Sequence, residues 1–409
     1  MNAVMRSYWL PVLLSTDLER DGDPKLVTLL GEQYVAFRDS NGEVGFLEAN
    51  CCHRGVLLSL GRNEECGLRC LYHGWKFAVD GRIMDTPNVP DPQFKTRFRQ
   101  PAFPAREAGD LIWVFVGDPD KLPPFCEYEY MRVPAEQRMV VRMDLDCNYL
   151  QALEGGLDTS HISQLHRNRM VGKNERLFVD QEQRRKLFGT DEAPRVDVRE
   201  TEFGLHYAAF RKTNDGTEND YVRVTAYVAP ITLMIPPRLN VLHFIPIDDT
   251  HTGKILIHWS PDKVVDRDYW MEMDGLNIPG VWENNRILQS IENGFLQNRQ
   301  SMREGTSWSG LPGVTTEDIA MNLAQGPIAD RSKEILVQAD SACIQARRYL
   351  LDAIARVEEG KEPPGLRPTS PETVAAVDFS MEPGGEWWTH VPGNLEVTQE
   401  KVLTEGVTG

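Results

Sequence analysis

Cys51-Cys52-His53 and Cys70-Leu71-Tyr72-His73 place thiols and imidazoles in two short stretches with sixteen residues between them. Read as C-x-H and C-x-x-H, they offer Cys51, His53, Cys70 and His73 as ligands. Cys52 adjoins His53, so Cys51 is the cysteine whose one-residue gap lets both side chains of the first stretch point at one centre. A Rieske [2Fe–2S] centre takes this set, two Cys on one iron and two His on the other, which raises its potential above that of an all-cysteine cluster. Gly55 and Gly74 follow the two pairs, where the backbone can turn tightly and bring amides toward the sulfurs. Tetrahedral zinc also accepts two Cys and two His, but a finger groups the Cys in one half and the His in the other. Here each half carries one of each, which favours the cluster.

Asp158-Thr-Ser-His161-Ile-Ser-Gln-Leu-His166 brings two more imidazoles and a carboxylate. Two His and a carboxylate on one face, with open positions, bind non-heme Fe(II) and leave room for O2. Five residues of ideal helix turn roughly 500°, which leaves His161 and His166 about 140° apart. Both reach one ion only if the helix ends or bulges between them, and a π-bulge is a frequent device at functional sites. The alternative is a pair of unrelated histidines among the nine in the chain. A one-electron donor upstream argues against it, because a donor needs an acceptor. The third ligand must come from farther along. Asp318 follows Thr315 in a pattern like a capping box, so on the residues alone it is either a helix cap or a ligand.

The elements that must position these groups fall into two parts. From residue 26 to about 120 the chain reads as short strands, among them Val27–Leu30, Tyr34–Phe37, Val44–Leu47, Trp75–Val79 and Leu111–Val116, broken by Gly31, Ser40-Asn41-Gly42 and Asp80-Gly81. This predicts a small all-β domain with the four ligands at its tip. Beyond about 140, Asn148–Leu165 reads as helix interrupted by Gly155-Gly156, followed by strands at Leu205–Phe210, Val222–Val228 and Val241–Ile245. Ser332–Glu359 predicts a long amphipathic helix with Leu336, Ala339, Cys343, Ala346, Leu350, Ile354 and Val357 on one stripe, ended by Gly360 and Pro363-Pro364. Residues 361–409 read as a surface-wrapping tail. The fold class is α+β, with domains at 1–140 and 141–409.

A formal charge of −17 argues against nucleic acid or an anionic membrane as partner and suits a basic patch on a protein. Seven cysteines without regular spacing do not form a disulfide framework, and a reducing cytoplasm is expected. The apolar Tyr8–Leu14 run is too short to span a bilayer and contains Pro11.

With these residues in place, the chain resembles the oxygenase components of Rieske non-heme iron oxygenases over nearly its whole length. The cluster motif is followed by Asn148-Tyr149, Glu154, Asp158, His161 and His166 in the family's order. Glu317-Asp318 through Gln325-Gly326-Pro327-Ile328 and Asp330-Arg331-Ser332 look like the phthalate-dioxygenase-type subgroup. Cys52 and Leu71 depart from the pattern, each standing where many relatives carry proline.

The resemblance implies a Rieske domain followed by a helix-grip (START-like) catalytic domain with an antiparallel sheet and a long C-terminal helix. It implies one Rieske [2Fe–2S] cluster and one Fe(II) per chain, O2 as co-substrate, and Asp318 as third iron ligand with Glu317 the next candidate. It implies homotrimers or hexamers, and an NAD(P)H-dependent reductase carrying flavin and a plant-type [2Fe–2S] cluster. Asp158 would bridge the cluster ligand His73 of one subunit to the iron ligand His161 of the next. The subgroup acts largely on aromatic carboxylates by cis-dihydroxylation, with O-demethylation of aryl ethers the alternative. Arg211 and His243 are then candidates to meet a substrate carboxylate. A pure electron carrier would need only ~100 residues and no second metal site.

Overall fold

A computed structural model describes residues 1–167, 192–213, 217–236, 240–366 and 374–392. The first ten strands are β1 (Leu10–Leu14), β2 (Lys25–Leu29), β3 (Glu32–Arg38), β4 (Val44–Glu48), β5 (Arg62–Glu64), β6 (Gly67–Arg69), β7 (Lys76–Phe77), β8 (Ile83–Asp85), β9 (Ala105–Ala108) and β10 (Leu111–Val114). They form three antiparallel sheets, ordered β2-β3-β4, β5-β6-β7-β8 and β1-β10-β9. Alternate residues of β3 feed two cores, as a period of two requires. Val35 and Phe37 pack with Cys51, Leu58, Leu68, Cys70 and Trp75 beneath the cluster loops. Tyr34 and Ala36 face the other way, toward the second domain.

The second domain is built on one ten-stranded sheet. Its strands are β11 (Arg138–Leu145), β12 (Arg195–Thr201), β13 (Gly204–Lys212), β14 (Asp220–Val228), β15 (Thr232–Ile235), β16 (Asn240–Pro246), β17 (Thr252–Trp259), β18 (Trp282–Glu283), β19 (Arg286–Ile287) and β20 (Val377–Met381). The order is β12-β13-β14-β15-β16-β17-β11-β19-β18, with β20 against the first half of β14. Pairing is antiparallel except between β11 and β19. The large sheet thus takes its first strand from Arg138. One face, with Val241, Ile245, Ile255 and Ile257, shares a core with Leu10, Leu29, Leu111 and Trp113 of the first domain. The other face, with Leu205, Tyr207, Leu242, Phe244 and Leu256, meets the helices.

Five helices matter for the site: α1 (Tyr149–Leu157), α2 (Ile162–Leu165), α3 (Arg267–Asp274), α4 (Val314–Ala324) and α5 (Ser341–Glu358). The side chain of Asn148 caps α1 by accepting from the Leu150 amide at 3.0 Å. Contrary to the sequence expectation, α1 runs through Gly155-Gly156 and stops at Asp158 instead. The two glycines are there for close approach. A Cβ on Gly155 would lie 2.5 Å from Asn322 Oδ1 of α4, and one on Gly156 2.7 Å from Leu233 Cδ1 of β15.

The C-terminal helix also differs, starting at Ser341 rather than Ser332. Val337 is extended, and the Asp340 side chain takes its amide at 2.7 Å, so helix cannot propagate backward. Leu336 is consequently exposed, while Cys343, Ala346 and Leu350 are buried as expected. Gly360, at φ +75°, ends the helix. Glu154 of α1 receives Arg347 of α5 through two bonds, at 2.6 and 3.0 Å, which ties the two helices together. Part of the expected tail is structural: β20 adds to the large sheet and Trp387 is buried, whereas residues 393–409 lie outside the described residues. Among the described residues, no helix is long and apolar enough to cross a membrane.

Candidate functional site

The four cluster residues sit on two loops with the same hydrogen-bonded frame. In the first, the Gly55 amide donates to the Cys51 carbonyl at 2.8 Å and the Cys51 amide to Val56 at 2.9 Å. In the second, the Gly74 amide donates to Cys70 at 3.0 Å and the Cys70 amide to Trp75 at 2.8 Å. Each loop closes on a glycine of positive φ, +70° and +77°, four residues after its cysteine. Histidine stands one residue later in the second loop than in the first, inside an otherwise equal frame. Cys51 and Cys70 are buried and Cys52 is exposed, which favours Cys51 over its neighbour as the ligand. The His53 and His73 rings lie 4.5 Å apart, and the Trp75 indole stacks on His53 at 4.5 Å and 3°. Buried Gln100 braces the first loop, donating to the carbonyls of Glu48 and Asn50 and accepting the Cys52 amide.

A single zinc ion with bonds of about 2.0–2.3 Å would gather its donors around one point. Among the described residues, His161, His166 and Asp318 bring three ligand atoms within 4.8 Å of one another. Cys51 interacts with Cys70, and the His53 ring lies beside the His73 ring, so the thiols and the imidazoles pair by kind, as the two ends of a two-iron cluster require.

The second centre forms where α1 stops. Asp158 ends that helix, and the single turn α2 follows with His161 at its N-terminal cap and His166 at its C-terminal cap. The expected distortion is a helix end, not a π-bulge. His166, at φ −92° and ψ 18°, has left helical geometry, and its ring turns back toward His161. His161 Nε2 and His166 Nε2 are 3.2 Å apart, and Asp318 Oδ1 lies 3.4 and 3.0 Å from them. These separations match the edge of an octahedral face, about 3.0 Å for bonds of about 2.1 Å, so the donor set fits a facially bound metal ion.

Asp318 is not the cap of α4. Gly313 occupies that position and Thr316 closes it with its hydroxyl, which leaves Asp318 one residue past Glu317 and free to face the histidines. The residues behind the donors are equally ordered. Glu317 Oε2 bonds His166 Nδ1 at 2.7 Å, while Ser309 donates to its other oxygen. Asp158 Oδ2 lies 3.4 Å from His161 Nδ1, and its other oxygen accepts the Ser160 amide and hydroxyl, each at 2.7 Å. Such partners fix the tautomer and raise ligand basicity.

The carboxylates and imidazoles perturb one another strongly. Burial opposes charging His161, but Asp158 and Asp318 outweigh it and push its pKa up to about 10. Burial likewise opposes the Asp318 carboxylate, yet His166 and His161 hold it well below the usual range. Burial favours neutral Asp158 too, and His161 with Ser160 reverses that.

The triad opens on a cleft of ≈ 100 Å³ between α1, α4 and the sheet. Apolar walls come from Ile162, Ile235, Leu242, Leu256 and Val314, and two buried cations, Arg223 and Lys254, also line it. Neither cation expected from the sequence does. His243 points to the opposite face of β16, where it meets Tyr130 at 3.1 Å and Thr232 at 2.8 Å, and burial takes its pKa down to about 3. Arg211 shares the cleft face of β13 but lies beyond the cleft, donating to the Thr159 carbonyl at 2.6 Å. It secures the turn that carries Asp158 rather than a ligand.

Sequence reasoning named Glu317 only as an alternative ligand. The signal available was the second nitrogen of His166, which needs its own acceptor. Glu317→Gln keeps the shape and removes the charge, so iron affinity is expected to fall about 10- to 100-fold in a chelator competition. Unchanged affinity would make the carboxylate a packing group alone.

Comparison with known proteins covers both domains. Residues 8–102 match the Rieske [2Fe-2S] domain family and residues 114–404 the family described as LigXa C-terminal domain like. The chain is similar to the phthalate 4,5-dioxygenase oxygenase subunit of Pseudomonas putida, 37% identical over 88% of this chain and 84% of that protein. It is 35% identical to the 3-chlorobenzoate-3,4-dioxygenase oxygenase subunit of Comamonas testosteroni, over 90% of this chain and 88% of the relative. Among solved structures, dicamba monooxygenase bound to dicamba matches with a TM-score of 0.60 at 17% identity, over 87% of this chain and 99% of that one.

Proposed function

The chain belongs to the Rieske non-heme iron oxygenases as an oxygenase subunit, and from that premise we propose that it cis-dihydroxylates an aromatic carboxylate, with electrons from an NAD(P)H-dependent reductase carrying flavin and a plant-type [2Fe–2S] cluster. The observation that carries this reading is a His161-His166-Asp318 face opening directly on a partly apolar, partly cationic cleft. The relatives named for phthalate and 3-chlorobenzoate support the acid. When bound, the cluster supplies one electron at a time and the ferrous ion a place for O2 to be activated.

The protein's own groups do the rest. Leu242, Leu256, Ile235 and Val314 hold the ring and exclude water, while Asp158 and Glu317 hold the protons on the outer nitrogens of His161 and His166. In a trimer or hexamer, Asp158 would also accept from His73 of the partner subunit, giving the electron a bonded route. Leu71 and Tyr72 beside His73 are more than half exposed, as a docking tip needs. The seven unpaired cysteines suit a reducing cytoplasm.

The test is product analysis with purified protein, a compatible reductase and ¹⁸O2 on a panel of benzoates and aryl methyl ethers. A dihydrodiol carrying both labelled atoms is expected from an acid. Formaldehyde from an ether, with no diol from any acid, would replace this reading with O-demethylation. Iron near two rather than three per chain, with no turnover, would point to an electron carrier.

A further inference from the structure

We infer that the Lys254 ammonium is the group that receives the substrate's carboxylate, an assignment resting on the aromatic-acid reading above. Lys254 lies in β17 within a run of buried residues, Thr252 to His258, is 3% exposed, and lines the same cleft as the triad. Among the described residues its Nζ forms no hydrogen bond or ion pair, and the Phe244 ring centroid lies 5.9 Å from it. A buried ammonium without an anion is unfavourable, so a fold that keeps one has a partner to come.

The partner is not one of the two carboxylates whose charge it feels, Asp274 and Asp318. Asp274 is taken by His258 Nε2 at 2.7 Å and by the Thr315 hydroxyl at 2.9 Å. Asp318 is taken by His161 and His166. Burial lowers the pKa of Lys254, so its charge is favoured when an anion lies beside it. The other cation of the cleft, Arg223, is held by the Pro236 carbonyl. A lysine on a flexible stem can meet one carboxylate oxygen as a point charge, and the bond formed is of the strong, charge-assisted kind. Leu256, two residues along the same face of β17, offers the apolar surface for the attached ring.

The experiment is calorimetric binding to the anaerobic holoenzyme of phthalate, 3-chlorobenzoate and 3-phenoxybenzoate, each against its carboxamide. The wild type is expected to prefer at least one acid to its amide by about tenfold or more, Lys254→Met to lose that preference, and Lys254→Arg to keep most of it. Cluster absorbance and iron content establish that each variant is folded and loaded. Retention of the acid preference by a loaded Lys254→Met would overturn the assignment and leave the acid reading standing. A wild type with no acid preference on any pair would overturn the acid reading and this assignment with it.

Discussion

Asp318→Ala is expected to lose the mononuclear iron and all measurable turnover while the cluster keeps its visible spectrum. The triad has three donors and none to spare: Asp318 Oδ1 stands 3.0 Å from His166 Nε2 and 3.4 Å from His161 Nε2, and alanine leaves two imidazoles 3.2 Å apart. Two such groups facing each other without the anion bind a ferrous ion poorly. The complementary variant is Cys70→Ala, which should abolish the Rieske spectrum and leave the second site able to take up iron. Metal analysis beside the spectrum separates them, with about one Fe lost in the first case and about two in the second. Normal iron occupancy in Asp318→Ala would remove Asp318 from the ligand set, and Glu317, already bonded to His166 Nδ1 and Ser309, could not take its place without turning away from both. An intact cluster spectrum in Cys70→Ala would remove that cysteine from the ligand set.

The second large effect is expected from Asp158→Asn. The substitution keeps the shape of the side chain and its bonds from Ser160, and removes the charge facing His161 at 3.4 Å. Charge-assisted bonds are roughly twice as strong as neutral ones, and a buried donor left without its acceptor costs about 1–3 kcal/mol. If the same carboxylate joins His161 to the cluster histidine of a neighbouring subunit, both ends of the bridge weaken at once. Full metal content, normal reduction of the cluster by the reductase, and turnover reduced about 100-fold are expected. Single-turnover oxidation of the reduced cluster reads the step directly. Near wild-type turnover, or a fully active monomer, would refute the route between subunits.

Much of this was legible before the fold was known, for identifiable reasons. Metal ligands are few in kind and close in sequence, so Cys51 to His73 and Asp158 to His166 announce themselves. Gly360 ends its helix where a left-handed residue is needed. What stayed hidden was sidedness. β13, β14 and β16 are buried almost throughout, because helices cover one face of the sheet while the other is covered by the first domain at β16 and by the C-terminal residues Val374, Met381, Trp387 and Val391 at β13 and β14. Alternation then carries no contrast between polar and apolar, and nothing local says that Asn240 and Leu242 face the cleft while His243 faces away. Lys254 was missed for the same reason. Gly155-Gly156 misled differently, since glycine lowers helix propensity by about 1 kcal/mol each yet here removes a steric obstacle.

Those two glycines carry a consequence for how this centre can drift. They lie just ahead of Asp158, and where their side chains would begin, α1 already touches Asn322 of α4 and Leu233 of β15. The seat of the iron is thus set in part by atoms that are missing. A chain with every donor intact but a methyl group at Gly155 would pass any inventory of ligands and still have to displace Asn322 on α4, the helix that presents Asp318, while one at Gly156 would have to displace Leu233 of β15. Geometry of this kind is inherited as clearance, and a comparison that counts matching ligands does not register its loss.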